Sequence, residues 1–168
     1  EATARRRHAG ALLAHFALYT PGDATALARC LAEMANARAA IAWASDHDLG
    51  LAAQLTACVT LVTTFTTWRH ESGNWLLALE RPMEQPAGLA LPAAVQAAWW
   101  TERARVGTIR RDAGACITAQ RAVAQWRPLN QPRQSLRATL IWVRSMTAAG
   151  PELELACRDL QAQVATIP

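Results

Sequence analysis

The chain contains no lysine, so all 17 of its Lys and Arg positions are arginines. A phosphate-binding loop of the usual kind requires a lysine, and so do Schiff-base chemistry and a Ser–Lys catalytic dyad. The absence of lysine excludes all three from these 168 residues. Against 13 acidic residues the arginines leave a net charge of +4, which permits contact with an acidic partner without requiring nucleic acid.

Residues that break helices and residues that favour strands are also scarce. The sequence has only 8 Gly and 8 Pro, and Val and Ile are few beside Ala and Leu. Ala and Leu are strong helix formers, whereas β-branched residues favour strands. No segment alternates between apolar and polar residues over a useful length. The composition, 52% hydrophobic, is that of a folded domain, and we predict an all-α fold without a sheet.

Metal-binding and disulfide patterns are absent too. The cysteines are too far apart in sequence to form a zinc-ligand pair, and each falls in a helical stretch. We interpret them as small buried hydrophobic residues in a reducing compartment. This interpretation predicts a cytoplasmic protein without a cofactor or metal. The four are Cys30, Cys58, Cys116 and Cys157.

One short segment, Asp46-His47-Asp48, has the residue types of acid–base catalysis. It falls in a predicted turn between helices, where solvation and helix capping by Asp48 explain these residues fully. A catalytic site also needs a nucleophile beside an oriented base, and no such pair is recognisable in the sequence. We therefore predict a protein that is not an enzyme and has no catalytic residue.

Apolar residues at spacings of three and four, interrupted by Pro, Gly and Asp, predict eight helices. Leu27, Leu31, Met34 and Ile41, for example, share one face of the second helix. Residues 82–91 are predicted to form a loop. The predicted helices cover about 3–19, 25–45, 49–68, 70–81, 92–109, 112–127, 133–148 and 151–166.

The third predicted helix, residues 49–68, carries no charge, and its length would suffice to cross a bilayer. Six Thr and one Gln lie inside it, however. A membrane span is apolar on all faces, whereas this segment has an apolar stripe beside a Thr-rich flank. We therefore interpret it as a core helix. The stripe consists of Leu51, Leu55, Cys58, Val62 and Phe65.

Landmark residues recur at an interval of 41 in the last two thirds of the chain. Cys58, Trp99 and Leu140 follow this interval, and so do Trp75, Cys116 and Cys157. A fixed period of this length is typical of helical repeats, because a single helix pair cannot bury its apolar face alone. We predict tandem antiparallel helix pairs that form a tetratricopeptide-like right-handed superhelical array. Residues 48–168 would contain three pairs, and residues 1–47 would form a joining helical element.

The candidate residues for binding a ligand or partner are Trp68, Trp99, Trp100 and Arg103. Neighbouring aromatic and charged side chains are typical of small-molecule pockets, so a sensor with an aromatic pocket is one hypothesis. In the alternative interpretation the tryptophans are core residues and the charges of Glu102 and Arg103 lie on a solvated face.

A DNA-contacting helical domain is a further hypothesis, because four arginines lie near the paired tryptophans. Nucleic-acid binding, however, favours a denser basic stripe and a recognisable reading motif. We therefore favour a protein partner or a salt-bridged surface. The four are Arg103, Arg105, Arg110 and Arg111.

Three segments within residues 5–80 resemble parts of one bacterial protein family. The first is Arg5-Arg6-Arg7-His8-Ala9, which precedes a Leu/Phe helix. Residues 31–44 (LAEMANARAAIAWA) are similar to the family signature E-x-x-N-x-R-A-A-L-x-W-A. Residues 48–55 (DLGLAAQL) resemble the entry to the family's repeats. The sequence departs from the family at Met34-Ala35, where an acidic residue is usual.

The family that these segments resemble is the large signal-transduction ATPase regulators. Its members combine a DNA-binding winged helix or LuxR-type helix-turn-helix, a nucleotide-binding ATPase core and a C-terminal tetratricopeptide-like array. The resemblance implies a non-catalytic sensor or scaffold fragment of a transcriptional regulator, with the ATPase and the DNA-binding domain upstream. The array would bind a protein partner, its own ATPase domain or a small-molecule inducer, and would control oligomerisation. It would contact DNA only through the upstream domain and would not contact a membrane.

Overall fold

The structure is a computed structural model that describes residues 1–146 and 150–166. Across these residues it contains eleven α-helices and no strand, so the predicted all-α class is confirmed. A short 3-10 helix, Arg127–Leu129, follows the ninth α-helix. The helices are α1 Ala2–Ala17, α2 Ala24–Ala32, α3 Met34–His47, α4 Leu49–Val62, α5 Arg69–Ala78, α6 Glu80–Glu84, α7 Pro86–Leu89, α8 Ala93–Arg110, α9 Ala115–Trp126, α10 Pro132–Ser145 and α11 Pro151–Thr166.

The chain divides into two compact units, Glu1–Leu91 and Pro92–Pro168. In the first unit α1, α3 and α4 pack against one another. Their apolar residues recur every three or four positions, which places them on one face of each helix. The core they form includes Phe16, Met34, Ile41, Leu55 and Val59. Because α4 belongs to this core, the first unit extends across residue 48, and the division into 1–47 and 48–168 stays a prediction.

Aspartates begin two of the helices in the first unit. The Asp23 carboxylate accepts a hydrogen bond from the Ala26 backbone N–H at 2.8 Å, and Asp48 accepts one from Leu51 N–H at 3.1 Å. Each bond satisfies a backbone donor that the first helical turn leaves without a partner. Asp48 also receives an ion pair from Arg6 at 3.0 Å. The expected capping role of Asp48 is therefore confirmed.

Several predicted segments in the first unit differ from the structure. The single predicted helix at 25–45 is interrupted at Glu33, which lies between α2 and α3. The predicted loop at 82–91 contains α6 and α7 instead. Pro86 fits the first turn of α7, where its missing N–H has no intrahelical partner to lose. At Gly88 a Cβ would lie 2.5 Å from the Met83 Cα, so only glycine allows this close approach.

The predicted helix at 49–68 ends earlier, at Val62, and its threonines explain why. Thr63, Thr64 and Thr66 donate side-chain hydrogen bonds to carbonyls three or four residues before them. One such bond is tolerated inside α4, as at Thr56, but three within four residues compete together with the helical backbone pattern. Phe65 consequently leaves the apolar stripe and is 96% exposed. No helix in the described part of the chain is both long enough and apolar enough to cross a membrane.

The Thr-rich flank of α4 is buried rather than solvated. Thr56 donates to the Ala52 carbonyl at 2.8 Å, and the hydroxyls of Thr63 and Ser72 lie 2.6 Å apart. A buried hydroxyl is tolerated when it has a hydrogen-bond partner, and α4 supplies one through its own carbonyls. The flank therefore packs against α5 as if it were apolar.

In the second unit each helix packs against the next, and α8 also contacts α10. Residues 111–114 join α8 to α9, and this short connection makes the two helices antiparallel neighbours. The Trp126 indole N–H accordingly donates to the Thr101 hydroxyl, 25 residues away, at 2.8 Å. In the same way Gln163 on α11 donates to Thr139 on α10 at 2.9 Å. The predicted end of the seventh helix near residue 148 lies outside the described residues.

Candidate functional site

The most unusual segment of the second unit is a run of six consecutive buried residues in the middle of α8. A helix with one solvent-facing side exposes a residue about every turn. This run instead contains two tryptophans, a threonine, a glutamate, an arginine and an alanine, all buried. The segment is therefore enclosed on all sides. The six are Trp99, Trp100, Thr101, Glu102, Arg103 and Ala104.

Trp99 and Trp100 contact each other at right angles, with ring centroids 4.7 Å apart and an interplanar angle of 86°. The Arg121 guanidinium lies over the Trp100 ring, 3.7 Å from its centroid, which is a close cation–π contact. Both indole N–H groups are buried, and the described residues offer them no hydrogen-bond acceptor. The two rings fill the core of the unit, as the alternative sequence interpretation predicts.

Glu102 is a buried carboxylate held between two arginines. Its exposed fraction is 2%, and it accepts a hydrogen bond from Arg105 Nε at 2.8 Å. Its other oxygen contacts Arg137 on α10. Burial lowers the pKa of Arg105 to about 10, which still leaves the guanidinium charged at neutral pH. The Arg137 contact links α8 to α10, whereas the Arg105 bond lies within α8; both are charge-assisted hydrogen bonds.

Arg103 contacts the connection between α8 and α9. Its Nη1 donates to the Asp112 carboxylate at 3.2 Å, and the residue is only 9% exposed. The expected solvated face for Glu102 and Arg103 is therefore wrong, because both side chains are buried and paired. Asp112 lies in the connection itself, so the ion pair holds the turn against the helix.

Trp68 lies in the first unit and belongs to a different cluster. It is partly buried against the core, and the Arg38 guanidinium lies 5.3 Å from its ring centroid. Arg38 also donates two hydrogen bonds to Glu71, at 2.7 and 2.9 Å. The hydrogen bonds and the negative charge of Glu71 raise the pKa of Arg38. This bidentate pair connects α3 to α5.

Ligand or partner binding by the four candidate residues stays a prediction. Trp99, Trp100 and Arg103 lie together on α8, whereas Trp68 belongs to the first unit. Each has an intramolecular contact that explains its position. The Glu102–Arg137 contact has no signal in the sequence, because its partners are 35 residues apart on helices that no local spacing relates.

A small cavity in the second unit was also missed. It has a volume of about 190 Å³ and lies where α9, the 3-10 helix, α10 and α11 meet. Arg127 and Asp159 form an ion pair at its edge, with a distance of 2.9 Å. Pro128 and Pro132 predict the break between helices beside which the cavity lies, but they do not predict the cavity. Its lining residues include Trp126, Arg127, Asn130, Ser135, Asp159 and Gln163.

Charge is distributed unequally between the two units. The second unit contains ten of the 17 arginines and five of the 13 acidic residues, for a net charge of +5. The first unit contains seven arginines and eight acidic residues, for a net charge of −1. The net positive charge of the chain therefore belongs to the second unit alone. Long-range attraction of an anionic partner would act on that unit.

The described residues contain no group of three His, Cys, Asp or Glu side chains that could hold a metal ion. The cysteines among them are free, and Cys30 is buried. A comparison with protein-family models, with curated proteins and with solved structures found no match to this chain.

Proposed function

We propose that this chain is a non-catalytic helical-repeat module that binds a protein partner, as a sensor or scaffold within a larger regulator. The observation that carries the proposal is that buried positions recur at the 41-residue interval. Equivalent positions on α4, α8 and α10 are buried three times in succession, as expected when each helix pair uses the same side to pack. These positions are Thr56, Ala97 and Ala138; Val59, Trp100 and Ile141; and Thr60, Thr101 and Trp142.

Assignment to the signal-transduction ATPase regulators is part of this proposal, and it rests on the sequence resemblance within residues 5–80. The signature residues 31–44 make three contacts in the structure. Asn36 donates to the Glu33 carboxylate at 2.7 Å, and Trp43 stacks on His47 with centroids 5.1 Å apart. Arg38 binds Glu71 on α5. Of these contacts only the Arg38–Glu71 ion pair joins α3 to another helix; the other two lie within four residues along the chain.

The gene sequence upstream of the codon for Glu1 tests this assignment. We expect it to encode a phosphate-binding loop, preceded by a winged helix or a helix-turn-helix. The upstream segment, produced separately, should bind the chain in isothermal titration calorimetry, and the chain alone should not hydrolyse ATP. An upstream sequence without a nucleotide-binding domain would contradict the family, and absence of binding would contradict the scaffold role.

A second candidate function, sensing of a small molecule, is favoured by the cavity beside Trp126. Its volume of about 190 Å³ is below the roughly 300 Å³ of common ligand pockets, so only a small ligand fits. Arg127 and Asp159 pair with each other at its edge, and a small zwitterion such as an amino acid would bind by exchanging this ion pair for one with each of its own charges. Titration of tryptophan fluorescence with amino acids should give a saturable change that Trp126→Phe abolishes. A flat response would contradict this function.

A further inference from the structure

We propose that an exposed face of α10 binds an acidic, partly apolar segment of a protein partner. The proposal rests on the function proposed above and specifies its partner and its surface. The surface, called here the α10 arginine face, consists of Arg133, Arg137, Leu140 and Arg144.

The spacing of these four residues puts them on one side of α10. Successive members are separated by four, three and four positions, which aligns side chains along a helix. Arg133 and Arg144 are exposed, and Leu140 is 44% exposed between them. A face with an apolar residue between cations is suited to a segment with an apolar residue between carboxylates.

The Arg137–Glu102 contact shows that this face borders α8. Because α8 and α10 are each antiparallel to α9, they run in the same direction, and seven residues beyond that contact lie Ile109 and Arg144. Ile109 is 44% exposed, like Leu140. The border between the two helices therefore carries two exposed apolar side chains next to the arginines. Exposed apolar residues grouped in this way mark binding surfaces more often than isolated ones do.

The charge of the second unit favours an acidic occupant. Three of its five acidic residues are already held by arginines of the same unit, in the pairs of Glu102, Asp112 and Asp159. The arginines that carry the net charge of +5 therefore lie mainly at the surface of the unit. Complementary charge at an exposed face increases the association rate and selects the partner.

A protein segment fits this face better than a nucleic acid does. Proteins that bind single strands present aromatic rings on which bases stack, but the four tryptophans of the second unit are all buried. The apolar side chains of Leu140 and Ile109 would have no complement on a phosphate backbone, whereas an acidic protein segment can supply one.

Fluorescence anisotropy with the full chain tests the proposal. The probe is a labelled helical peptide with Glu at positions i, i+4 and i+11 and Leu at i+7, and the control peptide has Gln at the Glu positions. We expect the Glu peptide to bind about tenfold more tightly than the Gln peptide. Arg133→Glu/Arg144→Glu should weaken binding by about tenfold or more, and added salt should weaken it further.

The matched control is Arg29→Glu/Arg81→Glu, which changes the net charge equally at exposed positions of the first unit. It should leave binding unchanged. Equal losses in both double variants would overturn the proposal, and so would tighter binding of duplex DNA than of the Glu peptide. If the charge reversal unfolds the chain, as circular dichroism would reveal, Arg133→Gln/Arg144→Gln replaces it. Failure of peptide binding while the upstream-encoded segment still binds refutes this surface alone; failure of both refutes the proposed function as well.

Discussion

The Arg103 guanidinium passes directly over Gly107 to reach Asp112. A Cβ at position 107 would lie 2.8 Å from Arg103 Nη1, 3.3 Å from the Ala115 Cβ and 3.4 Å from an Asp112 carboxylate oxygen. The glycine therefore leaves room for the ion pair at the point where α8 turns into α9. Its helix is otherwise well formed on both sides.

Gly107→Ala should uncouple Arg103 from Asp112. The added methyl group displaces the guanidinium, while alanine improves helix propensity by about 1 kcal/mol. The net change in unfolding free energy should thus be small. In a double-mutant cycle measured by urea denaturation, Asp112→Asn should cost about 1 kcal/mol in the wild-type chain and almost nothing beside Gly107→Ala. An equal cost of Asp112→Asn in both backgrounds would contradict the proposed role of Gly107.

Glu102→Gln should strongly destabilise the second unit. It removes the negative charge that both Arg105 and Arg137 contact, so that this charge no longer balances their positive charges. Breaking a buried ion pair typically costs about 3 kcal/mol, here reduced because Arg137 is partly exposed. Arg137→Met should cost less, since Glu102 keeps its bond to Arg105. The free energies come from urea denaturation, and a larger loss for Arg137→Met than for Glu102→Gln would refute this order.

Thr101→Val tests the buried hydrogen bond between α8 and α9. The substitution conserves side-chain shape but removes the oxygen that accepts from the Trp126 indole at 2.8 Å. A buried donor left without an acceptor costs about 1–3 kcal/mol. Thr108→Val is the matched control, because that hydroxyl donates only to the Ala104 carbonyl one turn earlier. Thermal unfolding should shift clearly for the first variant and little for the second; similar shifts would argue against the interhelical bond.

Cys30 should be the slowest of the four cysteines to react with iodoacetamide. It is buried in the first unit, and burial raises its thiol pKa, which reduces the fraction of reactive thiolate. The other three are only partly buried. Mass spectrometry after a short reaction at pH 8 should find label on Cys58, Cys116 and Cys157 before Cys30, and equal rates should appear in urea. Early labelling of native Cys30 would contradict its position in the core.

Local sequence signals predicted a helix correctly where its start and its buried face depend on residues within one or two turns of each other. Asp48 caps α4, Pro92 directly precedes α8, and the apolar spacing in residues 34–44 marks the buried face of α3. These are interactions between neighbours in the chain, so composition and periodicity are enough to recognise them. The same signals failed after Val62. There the hydroxyls of Thr63, Thr64 and Thr66 bond to preceding carbonyls, and the helix ends six residues earlier than predicted.

By itself the sequence determined an all-helical chain, its repeat interval and the absence of lysine chemistry. Only the tertiary structure decided that Glu102 and Arg103 are buried, that Phe65 is exposed and that Arg137 reaches α8. The physical reason is the distance along the chain over which the interactions act. Helix formation depends on residues three or four positions apart, whereas the burial of a charge depends on the partner that a distant helix brings to it, here 35 residues away.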